Sequence, residues 1–252
     1  MPSRTHAIAV IDLGEFLDAE KQPSPARFAR RKLGRQPLVI RMGRRLSECT
    51  LVDQVFITGS NIPASLLTCG LPGLRLLNFP SCHVSQRLAA AADESSAEWV
   101  VYVPANRPFV DSVLVDQLLA KAARAGECDY IGYGSAEGDW RRMSDLGLAG
   151  EVCHSDTLRR LRRNADRLPA NSDLSIASWL EHAPGAYHLK YIPIPRELNR
   201  SDLRFAVSNE SDWDDAELLC ETVAGEDSPW QELTQLVIGN ACLREAMATR
   251  NG

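Results

Sequence analysis

The sequence predicts an α/β fold, built as a mostly parallel, twisted sheet with helices on both faces. Short apolar runs alternate with amphipathic segments through most of the 252 residues, and this order produces parallel strands joined by helices. The run at 100–103 is β-branched and aromatic, which is typical of a strand buried on both faces. The composition, 44% hydrophobic and 24% charged, is that of an ordinary globular domain.

The elements follow from local periodicity and from the residues that interrupt it. The predicted strands are 7–11, 52–58, 74–78, 99–103, 129–132, 148–153, 187–194 and 204–208. The predicted helices are 37–46, 85–92, 112–125, 156–166, 174–180, 212–223 and 229–249. Residues 13–36 contain two prolines and are expected to form a long irregular segment, which in a compact domain is usually functional.

Capping residues support several of these boundaries. Pro37 suits the first turn of a helix, Asp111 and Ser211 are suitable N-caps, and Gly126 is a C-cap signal. We therefore expect an α/β domain over residues 1–225 and a C-terminal helical tail over residues 226–252.

Composition argues against several classes of function. The net charge of -5 is unlike that of a dedicated nucleic-acid binder, so no nucleic-acid partner is expected. No apolar run approaches the roughly 20 residues of a membrane span, and the first apolar stretch is too short for a signal peptide. We therefore expect no membrane partner and a cytoplasmic location. The seven cysteines form no C-x-x-C pair and are expected to be reduced thiols.

Common catalytic motifs are missing from the sequence. There is no glycine-rich phosphate loop, no G-x-S-x-G and no pair of histidines at metal-binding spacing. His154 follows a predicted strand near the expected ligand crevice, although a histidine that serves only the turn is an alternative. The acidic residues at 212–215 open a helix, where its dipole favours them without a metal.

Two polar segments are candidates for ligand binding. Asn106 and Arg107 directly follow the strand at 99–103, and open α/β sheets bind ligands at the carboxyl ends of their strands. The second segment, 27–35, carries five cations in nine residues: Arg27, Arg30, Arg31, Lys32 and Arg35. An arginine side chain can donate two hydrogen bonds at once to the oxygens of a phosphate group. Ordinary alternatives remain for both: a turn closed by Asn106, and a solvated basic surface.

Several motifs, taken in order, resemble those of one enzyme family. They lie at 25–38 (PARFARRKLGRQPL), 84–91 (VSQRLAAA), 105–111 (ANRPFVD), 147–154 (GLAGEVCH) and 204–212 (RFAVSNESD). In this order they resemble the nucleotidyltransferase-like fold, and more closely the cytidylyltransferases that activate acidic sugars and the spore-coat polysaccharide group. The resemblance spans about residues 5–224 and carries the fold with it.

The resemblance also implies roles for individual residues. It implies that a nucleotide, CTP or a nucleotide sugar, is bound by Arg27, Arg31, Lys32, Asn106 and Arg107. It implies that the sugar is bound by Glu151 and His154. The family uses Mg²⁺, and its members often pair through a region that corresponds to about residues 140–200, so a homodimer is expected.

The departures from the family pattern bear directly on catalysis. Asn106 and Ser208 occupy the positions of the family's two metal-binding aspartates, and the segment after the first strand, 12–20, is longer and acidic. Mg²⁺ prefers anionic oxygen ligands, so no confident metal ligand remains. The implied function is a divergent sugar-activating cytidylyltransferase-like protein that binds a nucleotide or nucleotide sugar with doubtful catalysis.

Two alternatives stay open at this point. In the first, the protein is an active CMP-sugar synthetase or a related nucleotidyltransferase or glycosyltransferase, with Asp12, Asp111 or Asp212 supplying the metal oxygens. In the second, it is a non-catalytic regulatory or scaffold subunit that has kept the fold for an interface.

Overall fold

The computed structural model describes residues 6–15, 26–62, 73–80, 82–134, 146–168, 175–181, 185–223 and 228–251. The strands are β1 (Ala7–Glu15), β2 (Lys32–Leu33), β3 (Gln36–Pro37), β4 (Gln54–Ser60), β5 (Leu74–Phe79), β6 (Trp99–Pro104), β7 (Tyr130–Gly134), β8 (Glu151–His154) and β9 (Leu189–Pro193). The α-helices are α1 (Ala26–Ala29), α2 (Leu38–Ser47), α3 (Val84–Ser95), α4 (Ser112–Ala122), α5 (Ser155–Arg163), α6 (Ile176–Glu181), α7 (Glu210–Thr222), α8 (Trp230–Gly239) and α9 (Ala241–Asn251). Short 3₁₀ turns cover Ala165–Arg167 and Arg196–Leu198.

Seven strands form one sheet in the order β5-β4-β1-β6-β8-β7-β9. The pairs β5–β4, β4–β1, β1–β6 and β7–β9 are parallel, whereas β8 runs antiparallel to β6 and to β7. The mostly parallel α/β fold predicted from the sequence is therefore confirmed. The small hairpin β2–β3 lies outside this sheet.

Each face of the sheet buries its own hydrophobic core. Alternate residues of β1 and β6 point to opposite faces, so that Val101 joins one core while Tyr102 joins the other. Helices α2, α4, α7, α8 and α9 contribute side chains to the first core, and α3, α5 and α6 to the second. Coverage on both faces explains why β6 is apolar throughout.

The structure differs from the expectations most clearly at three places, and the helix before which Ser211 was the expected N-cap is capped by Asn209 instead. Residues 204–208 form no strand; the segment is extended, and its Val207 amide donates to the Asn106 carbonyl instead of to a ladder. The single helix expected at 229–249 is two helices that separate at Asn240. Part of the expected irregular segment belongs to β1, α1 and the β2–β3 hairpin, while residues 16–25 lie outside the described ranges.

The C-terminal helices pack against the first core and against the segment before α7. Trp230 and Met247 belong to that core, and the Asn251 amide donates to the carbonyls of Ser201 and Leu203 at 2.9 and 3.0 Å. The cysteines in the described ranges are free thiols. Within those ranges, no helix combines the length and the apolar character that crossing a membrane requires.

Candidate functional site

The carboxyl ends of β4, β1 and β6 lie side by side at one edge of the sheet, which is the edge where open α/β folds bind ligands. Asp12 in β1 pairs with Thr58 on one side and with Pro104 on the other. The Ala105 amide donates to the Asp12 carbonyl at 3.0 Å. This arrangement carries the chain from β6 directly to Asn106, at the centre of the edge.

Asp12 is neutralised by an arginine that comes from α3. Arg87 Nε and Nη2 donate to Asp12 Oδ1 and Oδ2 at 2.7 and 2.9 Å, and Thr58 Oγ1 donates to Oδ1 at 3.0 Å. Burial disfavours the charge on Arg87, but Asp12 more than compensates, so the pKa of Arg87 is raised above its usual value. Both oxygens of the Asp12 carboxylate therefore already accept hydrogen bonds from protein side chains.

Asn106 and the segment ahead of α7 meet at this edge. The Asn106 carbonyl accepts from the Val207 amide at 2.8 Å, so Ser208 directly follows a residue bonded to Asn106. Ser208 is exposed and Asn106 is half-buried. The structure describes no hydrogen bond from the Asn106 side-chain amide to another described residue. The backbone bond therefore brings two segments together at this edge, one with a neutral amide at 106 and the other with a neutral hydroxyl at 208.

The basic segment packs over the start of α7 beside this edge. Phe28 of α1 stacks on Trp213 of α7, with ring centroids 5.6 Å apart, and the Arg31 guanidinium lies 4.2 Å from the Trp213 ring. Arg27 and Arg31 both donate to the carboxylate of Glu210, one to each oxygen. Glu210 lies two residues after Ser208 in the chain, so Arg27 and Arg31, as its partners, are held near the segment that carries Ser208.

The other cations of the segment are exposed. Lys32 lies in β2, Arg35 lies in the turn to β3, and Arg30 directly follows α1. The turn is closed by Gly34 with a φ of +65°, a conformation that glycine adopts without strain. Lys32 therefore has the exposure that a ligand-binding role requires, while its assignment stays a prediction.

Arg107 and Glu151 lie inside the protein, below the edge. Arg107 is 2% exposed and donates to the Ala149 carbonyl. Glu151 Oε2 accepts from the amides of Ile176 and Ala177 at 2.7 and 3.2 Å. Burial raises the pKa of Glu151 against the opposing effect of Arg107. The bonds of Glu151 connect β8 to α6. The side chains of Arg107 and Glu151 are therefore both buried and bonded to the protein itself.

The position of His154 requires a correction to the sequence expectation. Because β8 is antiparallel to β6, its last residue pairs with Trp99, the first residue of β6. His154 is therefore at the far edge of the sheet, separated from Asn106 by the length of β6, about 20 Å at 3.3 Å per residue. There His154 Nδ1 accepts from the Asp156 amide and caps α5, while the ring packs edge-on against Trp99.

The two other carboxylates considered as metal ligands are also bonded within the protein. Asp111 Oδ1 accepts from the amides of Val113 and Leu114, and Oδ2 accepts from the Trp230 amide at 3.2 Å. The side chain is 4% exposed. This carboxylate therefore caps α4 and connects it to α8.

Asp212 has a similar structural role at the start of α7. Its Oδ1 pairs with Arg204 Nε and Arg250 Nε, both at 3.0 Å, and its Oδ2 accepts from the Ser208 amide at 2.9 Å. The structure holds no group of three or more histidine, cysteine, aspartate or glutamate side chains that would suit a metal ion, as far as the described residues extend.

Sequence reasoning missed two residues of this region, Arg87 and Glu210. Each is joined to its partner over a long separation, 75 residues for Asp12–Arg87 and 183 for Arg27–Glu210. One signal was available for the first pair, because a carboxylate at the end of a strand buried on both faces requires a bonded cation. Nothing local pointed to Glu210.

Comparisons with known proteins show which fold this is. No protein-family model and no curated protein matches the sequence. A cytidylyltransferase from Leptospira borgpetersenii superposes with a TM-score of 0.74 at 14% identity, over 95% of this chain and 96% of that one.

Two further solved structures match at lower scores. CMP:2-keto-3-deoxy-manno-octonic acid synthetase, solved with CTP, has a TM-score of 0.61 at 11% identity over 86% of this chain and 99% of that one. The 4-diphosphocytidyl-2C-methyl-D-erythritol synthase from Anaerococcus prevotii has a TM-score of 0.61 at 9% identity over 87% of this chain and 98% of that one. The chain has the fold of the cytidylyltransferases, as its sequence resemblance implied.

Proposed function

We propose that this protein binds a nucleotide or nucleotide sugar, with CTP as the first candidate, and that its capacity for cytidylyl transfer is reduced or lost. One observation carries the proposal: the Val207 amide donates to the Asn106 carbonyl at 2.8 Å, which brings Asn106 to the segment that carries Ser208 and, two residues later, Glu210, the partner of Arg27 and Arg31. Arginine side chains recognise phosphate oxygens, which supports binding of an anionic nucleotide at this edge.

The donors at the edge do not fit Mg²⁺. This ion takes carboxylate oxygens and gives up its water reluctantly, whereas an amide and a hydroxyl carry no charge to hold it. Phosphoryl-type transfer depends on positioning and on neutralising charge at the phosphates. A site with arginines but without Mg²⁺ ligands favours nucleotide binding over cytidylyl transfer.

The bonding of Asp12, Asp111 and Asp212 disfavours the alternative of an active enzyme with substitute carboxylates. Each of the three is at most 4% exposed as a residue, and its oxygens already accept hydrogen bonds from the protein. Freeing one of them would leave buried donors unsatisfied, at about 1–3 kcal/mol each. The loss of metal-dependent catalysis is therefore the better proposal.

Calorimetric titration with CTP, with and without Mg²⁺, tests the proposal together with an assay of pyrophosphate release. The acidic sugar for the assay is 2-keto-3-deoxy-manno-octonic acid, the sugar named for one of the similar structures. We expect CTP to bind with an affinity that Mg²⁺ leaves nearly unchanged, and no pyrophosphate release. Magnesium-dependent release of pyrophosphate by the unmodified protein would refute the loss of catalysis.

Restoring carboxylates at the edge provides a second arm of the experiment. The double variant Asn106→Asp/Ser208→Asp should make CTP binding magnesium-dependent, by about 5- to 150-fold, the usual range of coupling between two ligands. The double variant Asn199→Asp/Ser201→Asp, which adds the same two charges at exposed positions, is the matched control and should show no such dependence.

The homodimer through residues 140–200 remains part of this proposal. The exposed edge of the sheet within that range is β9, whose side chains are half-buried or exposed. Light scattering at micromolar concentration tests it, and a monomer mass would remove the dimer without affecting the proposal on nucleotide binding.

A further inference from the structure

The contact between the basic segment and α7 is a bridge in which one carboxylate joins two arginines. Arg27 Nη2 donates to Glu210 Oε1, and Arg31 Nη1 donates to Glu210 Oε2. Guanidinium groups donate to phosphate oxygens with the same charge-assisted hydrogen bonds that they make to carboxylate oxygens. Glu210 therefore occupies the positions on Arg27 and Arg31 that a phosphate of the ligand would take.

We infer that Glu210 is a built-in competitor for the ligand's phosphates, and that a polyphosphate displaces it from Arg27 and Arg31. The inference rests on the proposed function and deepens it, because it specifies the class of ligand. An anion must bring more negative charge to the two arginines than the single charge of the Glu210 carboxylate. Inorganic triphosphate and nucleoside triphosphates meet this requirement.

The exposure of the three side chains makes the displacement feasible. Arg27, Arg31 and Glu210 are 50%, 38% and 48% exposed. Ion pairs at such positions contribute little stability, since water and salt screen them and ordering long side chains opposes them. An anion that binds the two arginines more strongly can therefore replace the carboxylate without disturbing a buried interaction.

The aromatic contact under the bridge keeps the arginines in place when Glu210 leaves. Phe28 and Trp213 are 2% and 0% exposed, and their rings are stacked at an interplanar angle of 12°. The guanidiniums of Arg27 and Arg31 lie 5.4 and 5.6 Å from the Phe28 ring. Displacement thus requires only a new rotamer of Glu210, and α1 stays where it is.

The charge balance explains the preference for polyphosphates. With Glu210 bound, the two arginines carry a net charge of +1, and displacement of Glu210 restores +2. A singly charged anion replaces one favourable charge interaction with an equal one, so it gains nothing. A triphosphate carries several charges, and the exposed Lys32 directly follows Arg31 in the chain, so the attraction of a triphosphate exceeds that of the carboxylate it replaces.

The variant Glu210→Gln tests the inference, with inorganic triphosphate and inorganic phosphate as probes. Glutamine keeps the size of the side chain and removes the competing charge. We expect calorimetry to show both anions binding more tightly to this variant, by about tenfold, the factor that corresponds to two ordinary surface ion pairs.

The matched control is Glu94→Gln. Glu94 is 47% exposed and pairs with Arg75 at 2.7 Å, on α3 and β5. This variant loses the same charge from the same kind of exposed ion pair. The affinity of the Glu94→Gln protein for triphosphate should therefore stay unchanged. In an Arg27→Gln/Arg31→Gln background, Glu210→Gln should give no gain, because the competitor then has nothing to compete for.

The outcomes separate this inference from the proposed function. Unchanged or weaker triphosphate binding by Glu210→Gln overturns the competitor role, as does an equal gain in Glu94→Gln or a gain that survives without the two arginines. If CTP binds the unmodified protein more tightly than triphosphate does while Glu210→Gln changes nothing, the nucleotide proposal stands alone. If Glu210→Gln gains as expected but CTP binds no better than triphosphate, the competitor role stands and nucleotide recognition fails.

Discussion

Removing one partner of the buried pair Asp12–Arg87 should cause a large loss of stability. Arg87 Nε lies 2.7 Å from Asp12 Oδ1, and the two side chains are 4% and 1% exposed. Arg87→Met leaves a carboxylate buried without its cation, which in proteins costs about 3–5 kcal/mol. At about 2–4 °C per kcal/mol for a domain of this size, the melting temperature should fall by about 6–20 °C.

An exposed pair of the same length provides the control. Arg75 Nη2 also lies 2.7 Å from its partner, Glu94 Oε1, but these side chains are 45% and 47% exposed. Arg75→Met should therefore lower the free energy of unfolding by about 1 kcal/mol or less. The shortest contact has the same length in the two pairs, so the comparison reports the effect of burial together with the second bond that Arg87 makes to Asp12.

Urea unfolding followed by circular dichroism measures both variants, and an unchanged slope against denaturant shows that the unfolding reaction is the same. The double variant Asp12→Leu/Arg87→Met should retain more stability than Arg87→Met, since no charge is then left buried. The reasoning is refuted if Arg87→Met loses no more stability than Arg75→Met. It is also refuted if the double variant is no more stable than Arg87→Met.

Three further predictions concern the segment that leads to α7. Gly147→Ala should destabilise the protein by more than Gly126→Ala in thermal melting. Both glycines have positive φ, but a Cβ at 147 would lie 2.5 Å from the Ala206 nitrogen, whereas a Cβ at 126 would meet nothing within 4 Å. Equal losses of stability in the two variants would contradict this prediction. Hydrogen bonds from Arg200 hold the pKa of Asp202 below its usual value. The contribution of Asp202 to stability is therefore present above the ordinary pKa of about 3.9 and is lost as the pH falls through the lowered folded value. Asp202→Asn should make the urea midpoint less sensitive to acid, and an unchanged acid dependence would argue against this prediction. Arg250→Met removes an ion pair to the carboxylate that accepts from the Ser208 amide, so hydrogen exchange at this amide should become faster, and an unchanged rate would show that α9 does not support the segment.

The fold could be predicted from the sequence because its main signals are local. The apolar runs of β1 and β6 and the capping aspartate at 111 determine elements through neighbouring residues alone. The extended segment at 204–208 has the same local character as a strand, but it makes a bond to Asn106 and not a ladder. Whether an extended segment joins a sheet depends on distant partners, which a single sequence does not display.

The site was less predictable because strand direction and long-range pairing decide it. His154 was expected near the crevice because it follows a strand, and the antiparallel direction of β8 places it at the opposite edge. Arg107 follows Asn106 in sequence, yet its side chain enters the interior. The meeting of Asn106 with the segment before Ser208 follows from the expected fold, whereas the bridge through Glu210 follows from neither pattern nor spacing.

The stack of Phe28 on Trp213 gives the protein its own optical reporter. Trp213 is fully buried and has the Arg31 guanidinium 4.2 Å from its ring, so its emission depends on the charge and position of that group. Replacing the other four tryptophans with phenylalanine would leave one indole that responds to events at the basic segment. Rapid-mixing fluorescence could then follow ligand capture in real time, without an attached dye.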